Sequence, residues 1–186
     1  MLSFYKKLGK LPVILIAAVI TFGLSLYFQM AFSRYLPEGA PGYMALQLSL
    51  SVERFSEVLN IWGPENVLRY QYSMWADFLF PLSYAVLFTG LLVWIGRHRE
   101  HTQFEQTVWF APSLAALMDY VENILHLLLL TKGSPYSPQL VMFSSNAAMI
   151  KWVLLGGVIP ITLVWAISQA IFCKKESATI NKLDRF

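Results

Sequence analysis

Residues 107–130, TVWFAPSLAALMDYVENILHLLLL, form an apolar run interrupted by Asp119, Glu122, Asn123 and His126. As a helix rising about 1.5 Å per residue, the run is long enough to cross a hydrocarbon core about 30 Å thick. Polar groups at that depth are expensive and need a compensating environment. At about 100° per residue the four polar groups share an arc of about 120° with Pro112, Ala115 and Ala116. Leu114, Leu117, Val121, Ile124, Leu125 and Leu128 take the opposite side. The pattern predicts a membrane helix with one face to lipid and the other against neighbouring helices, which the small residues allow to approach closely.

The remainder of the chain agrees. Of its 186 residues 56% are hydrophobic and 13% charged, where an ordinary soluble domain has about 25% charged. That excludes a soluble enzyme, a disordered tail and a nucleic-acid module. One cysteine, Cys173, cannot make an internal disulfide, a thiol redox pair or a structural zinc site. It can serve as an acylation site, although a plain buried thiol is the expectation. Four spans are predicted, at about 11–32, 74–96, 107–130 and 142–172. The expectation is an all-α integral membrane four-helix bundle, one domain over 1–173 with a polar tail at 174–186. Helix 1 follows Lys6, Lys7 and Lys10 like a signal peptide, but Gln29-Met30-Ala31-Phe32-Ser33 is too bulky for a cleavage site, so an uncleaved anchor is expected.

Basic residues set the orientation. Lys6, Lys7, Lys10, Arg97, Arg99, Lys174, Lys175, Lys182 and Arg185 fall in alternate segments, against Arg34, Arg54, Arg69 and Lys132 in the others. The bias predicts cytoplasmic termini, and the net charge of +3 therefore marks topology and not a nucleic-acid partner. Trp94, Trp109 and Trp165 then fall at the inner interface, and Trp75, Tyr70 and Tyr72 at the outer one. No Asn-x-Ser/Thr acceptor occurs, which fits a bacterial plasma membrane. In the outer loop, 33–73, Leu46, Leu48, Leu50 and Val52 alternate with Gln47, Ser49 and Ser51, predicting a short strand. Val52, Phe55, Val58, Leu59 and Trp62 predict a short amphipathic helix capped by Ser51, lying over the bundle mouth as a packing lid or a gate. Gly63-Pro64 ends it, and Pro64 and Glu65 can start a helix running on into span 2.

Span 4 brings Lys151, with Ser144, Ala147 and Ala148 on its face, while Ser144, Ser145 and Asn146 can cap the helix. Counted from Leu130 and Val141, Glu122 and Lys151 both lie roughly 12–15 Å below the outer boundary, so they can meet. Span 2 adds Asp77, with Ser73 and Tyr84 on its side, near the outer end where a carboxylate can also be simply hydrated. Pro81 removes the helical partner of the Asp77 carbonyl. Three acids, Asp77, Asp119 and Glu122, thus face one lysine and a histidine. If all acids ionise and His126 stays neutral, two negative charges are uncompensated, each costing roughly 2.5–3.5 kcal/mol. A proton, a cation, a cationic ligand or water must answer them.

Several chemistries fit these groups. Asp119, Glu122 and Lys151 are the candidate acid/base residues, with Asp77, Tyr84, Asn123 and His126 as candidate ligand-binding groups. A metal held by Asp119, Glu122, His126 and Asp77 is a weaker option, with no metal site assigned and the cofactor unknown. Static ion pairing that fixes helix register is the bland alternative. The layout resembles the 4-helix sterol isomerase and sigma-2 receptor group, in topology and loosely over Asp77-Phe78-Leu79-Phe80-Pro81-Leu82-Ser83-Tyr84. The resemblance implies cytoplasmic termini, a long outer segment and acids inside a lipid-filled pocket. The acid expected in helix 1 is absent, since Thr21, Ser25 and Gln29 are the polar residues there, and no family is assigned. The expected function is a polar pocket, open to the outer side, that binds a small or lipid-like, cationic molecule in the lipid bilayer, with or without acid/base chemistry. Alternatives are a proton- or cation-coupled transporter or channel subunit, which would need a homo-oligomer, and a non-catalytic membrane assembly partner.

Overall fold

The computed structural model describes residues 4, 7–31, 33–96, 108–164, 167–168 and 171. Among them every regular element is helical: α1 (Leu11–Ala31), a 3-10 turn (Ser33–Tyr35), α2 (Tyr43–Gln47), α3 (Val52–Asp77), α4 (Phe80–Gly96), α5 (Ala111–Lys132) and α6 (Pro138–Val153), which continues through a π-helical turn at Leu154–Val158. α1, α5 and the α6 helix extended to Val164 are each long and apolar enough to cross a membrane. α3 and α4 together make a fourth candidate span, bent by 44°.

Local chemistry explains the boundaries. Ser51 caps α3 by accepting from the Arg54 N–H at 3.3 Å. The Glu53 carboxylate beside it is held below its ordinary range by its own backbone N–H and then by the Ser51 hydroxyl. Gly63 takes φ +76°, which only glycine adopts cheaply, and Pro64 restarts the helix in a new direction. At Asp77 the helix breaks again, because Pro81 has no N–H to return and its ring crowds the preceding turn. α5 ends at Gly133, φ +70°, and Ser137 caps α6 through the Leu140 N–H at 3.4 Å.

α1 is apolar on nearly every side and buries only Ile14, Ala17 and Thr21, so its remaining surface needs lipid around it. It packs along α4, where Thr21 Oγ1 donates to Ser83 Oγ at 3.0 Å. α4 packs on α5 through Tyr84, Ala85, Ala115 and Ala116, and α5 packs closely on α6. Leu114, Leu117, Ile124 and Leu128 are exposed on the opposite face of α5. A second apolar core joins Leu46, Phe55, Val58, Trp62, Tyr70, Leu129 and Val141, covering the Lys132 end of the α5–α6 hairpin.

Three expectations need correction. Residues 46–52 hold no strand: Leu46 is helical and buried, Leu48 and Leu50 are exposed, and Leu50 takes φ +56° while its N–H goes to Ser145 Oγ at 3.1 Å. A lone alternating run with no neighbour to pair its backbone has no reason to stay extended. Pro64 does start a helix, which runs on to Asp77, and Glu65, Asn66, Arg69 and Gln71 lower its hydropathy without breaking it. Spans 3 and 4 run from Ala111 and Pro138, a few residues from the expected starts. Ser144 and Ser145 are therefore interior and buried, Asn146 is exposed, and Ser137 is the cap. Trp109 and Tyr70 are buried in packed clusters. Arg97, His98, Arg99, His101, Trp165, Cys173 and the tail 174–186 lie outside the described residues.

Gly90 marks a close approach of α4 to α1 and the residues just before it. A Cβ there would lie 2.8 Å from the Leu8 carbonyl oxygen and 2.9 Å from Ile14 Cγ1. Gly90→Val should lower the stability of the detergent-solubilised protein by about 1–3 kcal/mol. Gly23→Ala, with nothing within 4 Å of the added carbon, should leave it unchanged or slightly raised. Thermal unfolding of both variants checks the contact, and equal behaviour would show that α1 does not dock at Gly90.

Candidate functional site

The short loop between Lys132 and Pro138 makes α5 and α6 an antiparallel hairpin. Asp119 and Lys151 each lie about 20 Å along their helices from that loop, so they arrive at one level. There Lys151 Nζ sits 3.0 Å from Asp119 Oδ1 and 2.6 Å from Glu122 Oε2. Ala147 and Ala148 on α6, with Ala115 and Ala116 on α5, bury against their neighbours and keep the backbones near enough for this contact.

Other helices complete the arrangement. Tyr84 of α4 donates its hydroxyl to Asp119 Oδ2 at 3.1 Å. Tyr70 of α3 meets His126 Nδ1 at 3.1 Å, and the same nitrogen stands 4.0 Å from Glu122 Oε1. The rings of Phe55 and Tyr70 pack against the imidazole. A polar run thus passes Tyr84, Asp119, Lys151, Glu122, His126 and Tyr70 across four helices. Asp119, Glu122, Asn123, His126 and Lys151 are each at most 3% exposed.

Beside the cluster lies a cavity of about 70 Å³. It has room for about five waters or the small polar head of a larger molecule. Its lining combines polar groups, Asp77, Asp119, Lys151, Tyr70 and Ser73, with apolar ones, Phe28, Met74, Phe80 and Leu155, and Tyr43, Gln47 and Trp152 complete it. Of the seven expected site residues, Asp77, Asp119 and Lys151 line this cavity. Glu122, Asn123, His126 and Tyr84 do not; they are packed behind the wall and act on it through their neighbours. Asn123 is buried beside Asp77, yet neither of its amide atoms has a hydrogen bond of good geometry among the described residues.

Sequence reasoning missed Tyr70, Gln47 and Trp152. Tyr70 looked like an interfacial aromatic and Gln47 like one face of a strand. Only the kink at Gly63 and the turn after α2 bring them inward, and neither leaves a periodic signal. Metal ligation is not favoured by the geometry. No three His, Cys, Asp or Glu side chains converge as a ligand set among the described residues, and Asp119 and His126 are separated by about 10 Å along α5. Lys151 already takes the oxygens that a cation would need.

Removing one partner of a buried ion pair strands the other, at a cost of about 3–5 kcal/mol. Lys151→Met should destabilise the protein by that amount in equilibrium unfolding, because Asp119 and Glu122 would be left facing each other. Adding Glu122→Gln and Asp119→Asn to it should recover most of the loss. A double-mutant cycle reads the coupling, and additive effects would show that Lys151 does not bridge the two acids.

No family model, no curated protein and no solved structure matches the chain, and the likeness of residues 77–84 to the sterol isomerase and sigma-2 receptor group carries nothing further, so the chemistry of this cluster and cavity stands as the basis for function.

Proposed function

We propose that the chain is a multi-pass membrane protein whose spans form a four-helix bundle around a polar pocket, and that this pocket binds a small or lipid-like molecule bearing positive charge. The bundle comprises α1, the α3–α4 pair, α5 and α6, with both termini cytoplasmic and residues 33–73 on the outer side of a bacterial plasma membrane. The distribution of Lys and Arg supports this orientation. The observation that carries the reading is a cavity lined both by carboxylates, Asp77 and Asp119, and by phenyl and aliphatic groups, Phe28, Phe80, Met74 and Leu155.

Charge selects the occupant. Asp119 and Glu122 share Lys151, so Asp77 is the acid on the wall whose charge an occupant can answer. The Tyr70 ring in the same lining suits a cation as well, whereas the Trp152 ring already faces the Lys151 ammonium at 5.1 Å. Asp119 is held from two sides, by Tyr84 and Lys151, in the fixed geometry that acid/base chemistry on a bound head group requires. Glu122 positions Lys151, and His126 positions Tyr70.

Native mass spectrometry of the wild type and of Asp77→Asn, purified from membranes in mild detergent, tests this. The wild type should carry an adduct that Asp77→Asn loses by about tenfold in occupancy, equivalent to about 1.4 kcal/mol. The variant should unfold within about 0.5 kcal/mol of the wild type. Equal adducts in both would remove Asp77 from the site.

The polar run from Tyr84 to Tyr70 favours a second reading, proton-coupled transport by an oligomer. It expects proton flux in liposomes under a pH gradient, reported by a trapped dye, that Glu122→Gln abolishes. No flux in the wild type rejects it.

A further inference from the structure

The routes into the cavity bear on what the occupant can be. The route from the Lys132 end is covered. α2 lays Tyr43 and Gln47 over the cavity, and Trp152 Nε1 donates to Gln47 Oε1 at 3.1 Å. Two further bonds pin the same segment: the Leu50 N–H to Ser145 Oγ at 3.1 Å and Trp62 Nε1 to the Pro41 carbonyl at 2.6 Å. Above it Leu46, Phe55 and Val58 are packed at 1% exposure or less.

The flank is different. α1 packs along α4 and α6 along α5, and among the described residues α1 and α6 build no comparable packed face with one another. Phe28 from α1, with Trp152 and Leu155 from the α6 segment, nevertheless line the same cavity. The Phe28 ring stands edge-on to Phe80 at 5.7 Å, three residues on from Asp77, so this side of the slot lies at the level of the acids. Opposite, α6 loosens into its π turn, where Gly156 and Gly157 have nothing within 4 Å of an added Cβ.

We infer that the pocket takes the head of a bilayer-resident, single-chain amphiphile with a small amine, which enters sideways between α1 and α6 and leaves its tail in the hydrocarbon layer. This rests on the pocket reading given under Proposed function and adds the class of ligand and its route. A cavity of about 70 Å³ admits a head of a few heavy atoms and excludes a phosphocholine. A phosphate would also meet Asp77 and Asp119 with like charge. A water-soluble amine would forgo the apolar wall, at about 25 cal/mol for each Å² left unburied.

Photolabelling tests the inference with the full chain in phosphatidylcholine nanodiscs. One probe is octadecylamine with a diazirine near the amine; the other is a short, water-soluble alkylamine with the same diazirine. The long probe should label peptides containing Phe28, Trp152 and Leu155, and both Asp77→Asn, which removes the head's partner, and Leu155→Trp, which fills the slot, should cut that labelling about tenfold. The short probe should not label above background. Asp77-dependent labelling by the short probe as strongly as by the long one would keep the pocket and overturn the lipid class and the lateral route. Long-probe labelling indifferent to Asp77 would reflect annular lipid and overturn the inference. Labelling by neither probe would overturn both the inference and the pocket.

Discussion

Lys151, held between Asp119 and Glu122, is the contact on which the rest of the structure depends. It fixes the register of α5 against α6, because moving either helix by one turn would separate the ammonium from both carboxylates by about 5 Å. In a low-dielectric surrounding such a slip leaves three buried charges without partners. Small side chains on both helices are a consequence of the same demand, since larger ones would hold the backbones too far apart for a lysine to bridge two acids. Stripping the bundle of lipid would not remove this constraint; losing the lysine would.

Two backbone interruptions turn that pair of helices into a site. Without Gly63 and Pro64, α3 would run straight and carry Tyr70 away from His126. Without Pro81, α3 and α4 would be one rod, and Asp77 and Tyr84 would be set by a single helical phase. The 44° bend between the segments instead lets Asp77 face the cavity while Tyr84 reaches Asp119 from below. The cavity occupies the space opened by this bend, roofed by α2 because Trp62 and Trp152 hold that segment down by their indole N–H groups.

How much of this was legible follows from the range of each interaction. The polar face of α5 could be read directly, because a helix repeats every 3.6 residues and the exposed leucines mark the other side. Lys151 could be matched to Glu122 by counting from helix ends, and Pro81 announced its own break. The wall residues Tyr70, Gln47 and Trp152 could not be found this way. Their positions depend on a positive φ at Gly63 and on a side-chain to side-chain bond between residues 105 apart in sequence. The false strand at 46–52 has the same origin: alternation over seven residues is a local pattern, and the burial that fixed Leu46 and Gln47 came from α3 and α6.

Static ion pairing would explain a lysine between two helices, but it needs only one acid. Here Asp119 and Glu122 converge on the same ammonium, and Asp77 lines the same cavity as Asp119 with no lysine or arginine in ion-pair contact among the described residues. Behind the cavity lining His126 Nε2 and Ser144 Oγ are buried without hydrogen-bond partners in the described residues, each at a cost of about 1–3 kcal/mol. A helix pair evolved only for register would replace these groups with leucine and alanine and become more stable. Surplus acid, incomplete polar satisfaction and an adjoining hollow occur together at one level of the α5–α6 pair, and the ligand pocket proposed above is the reading that accounts for all three at once.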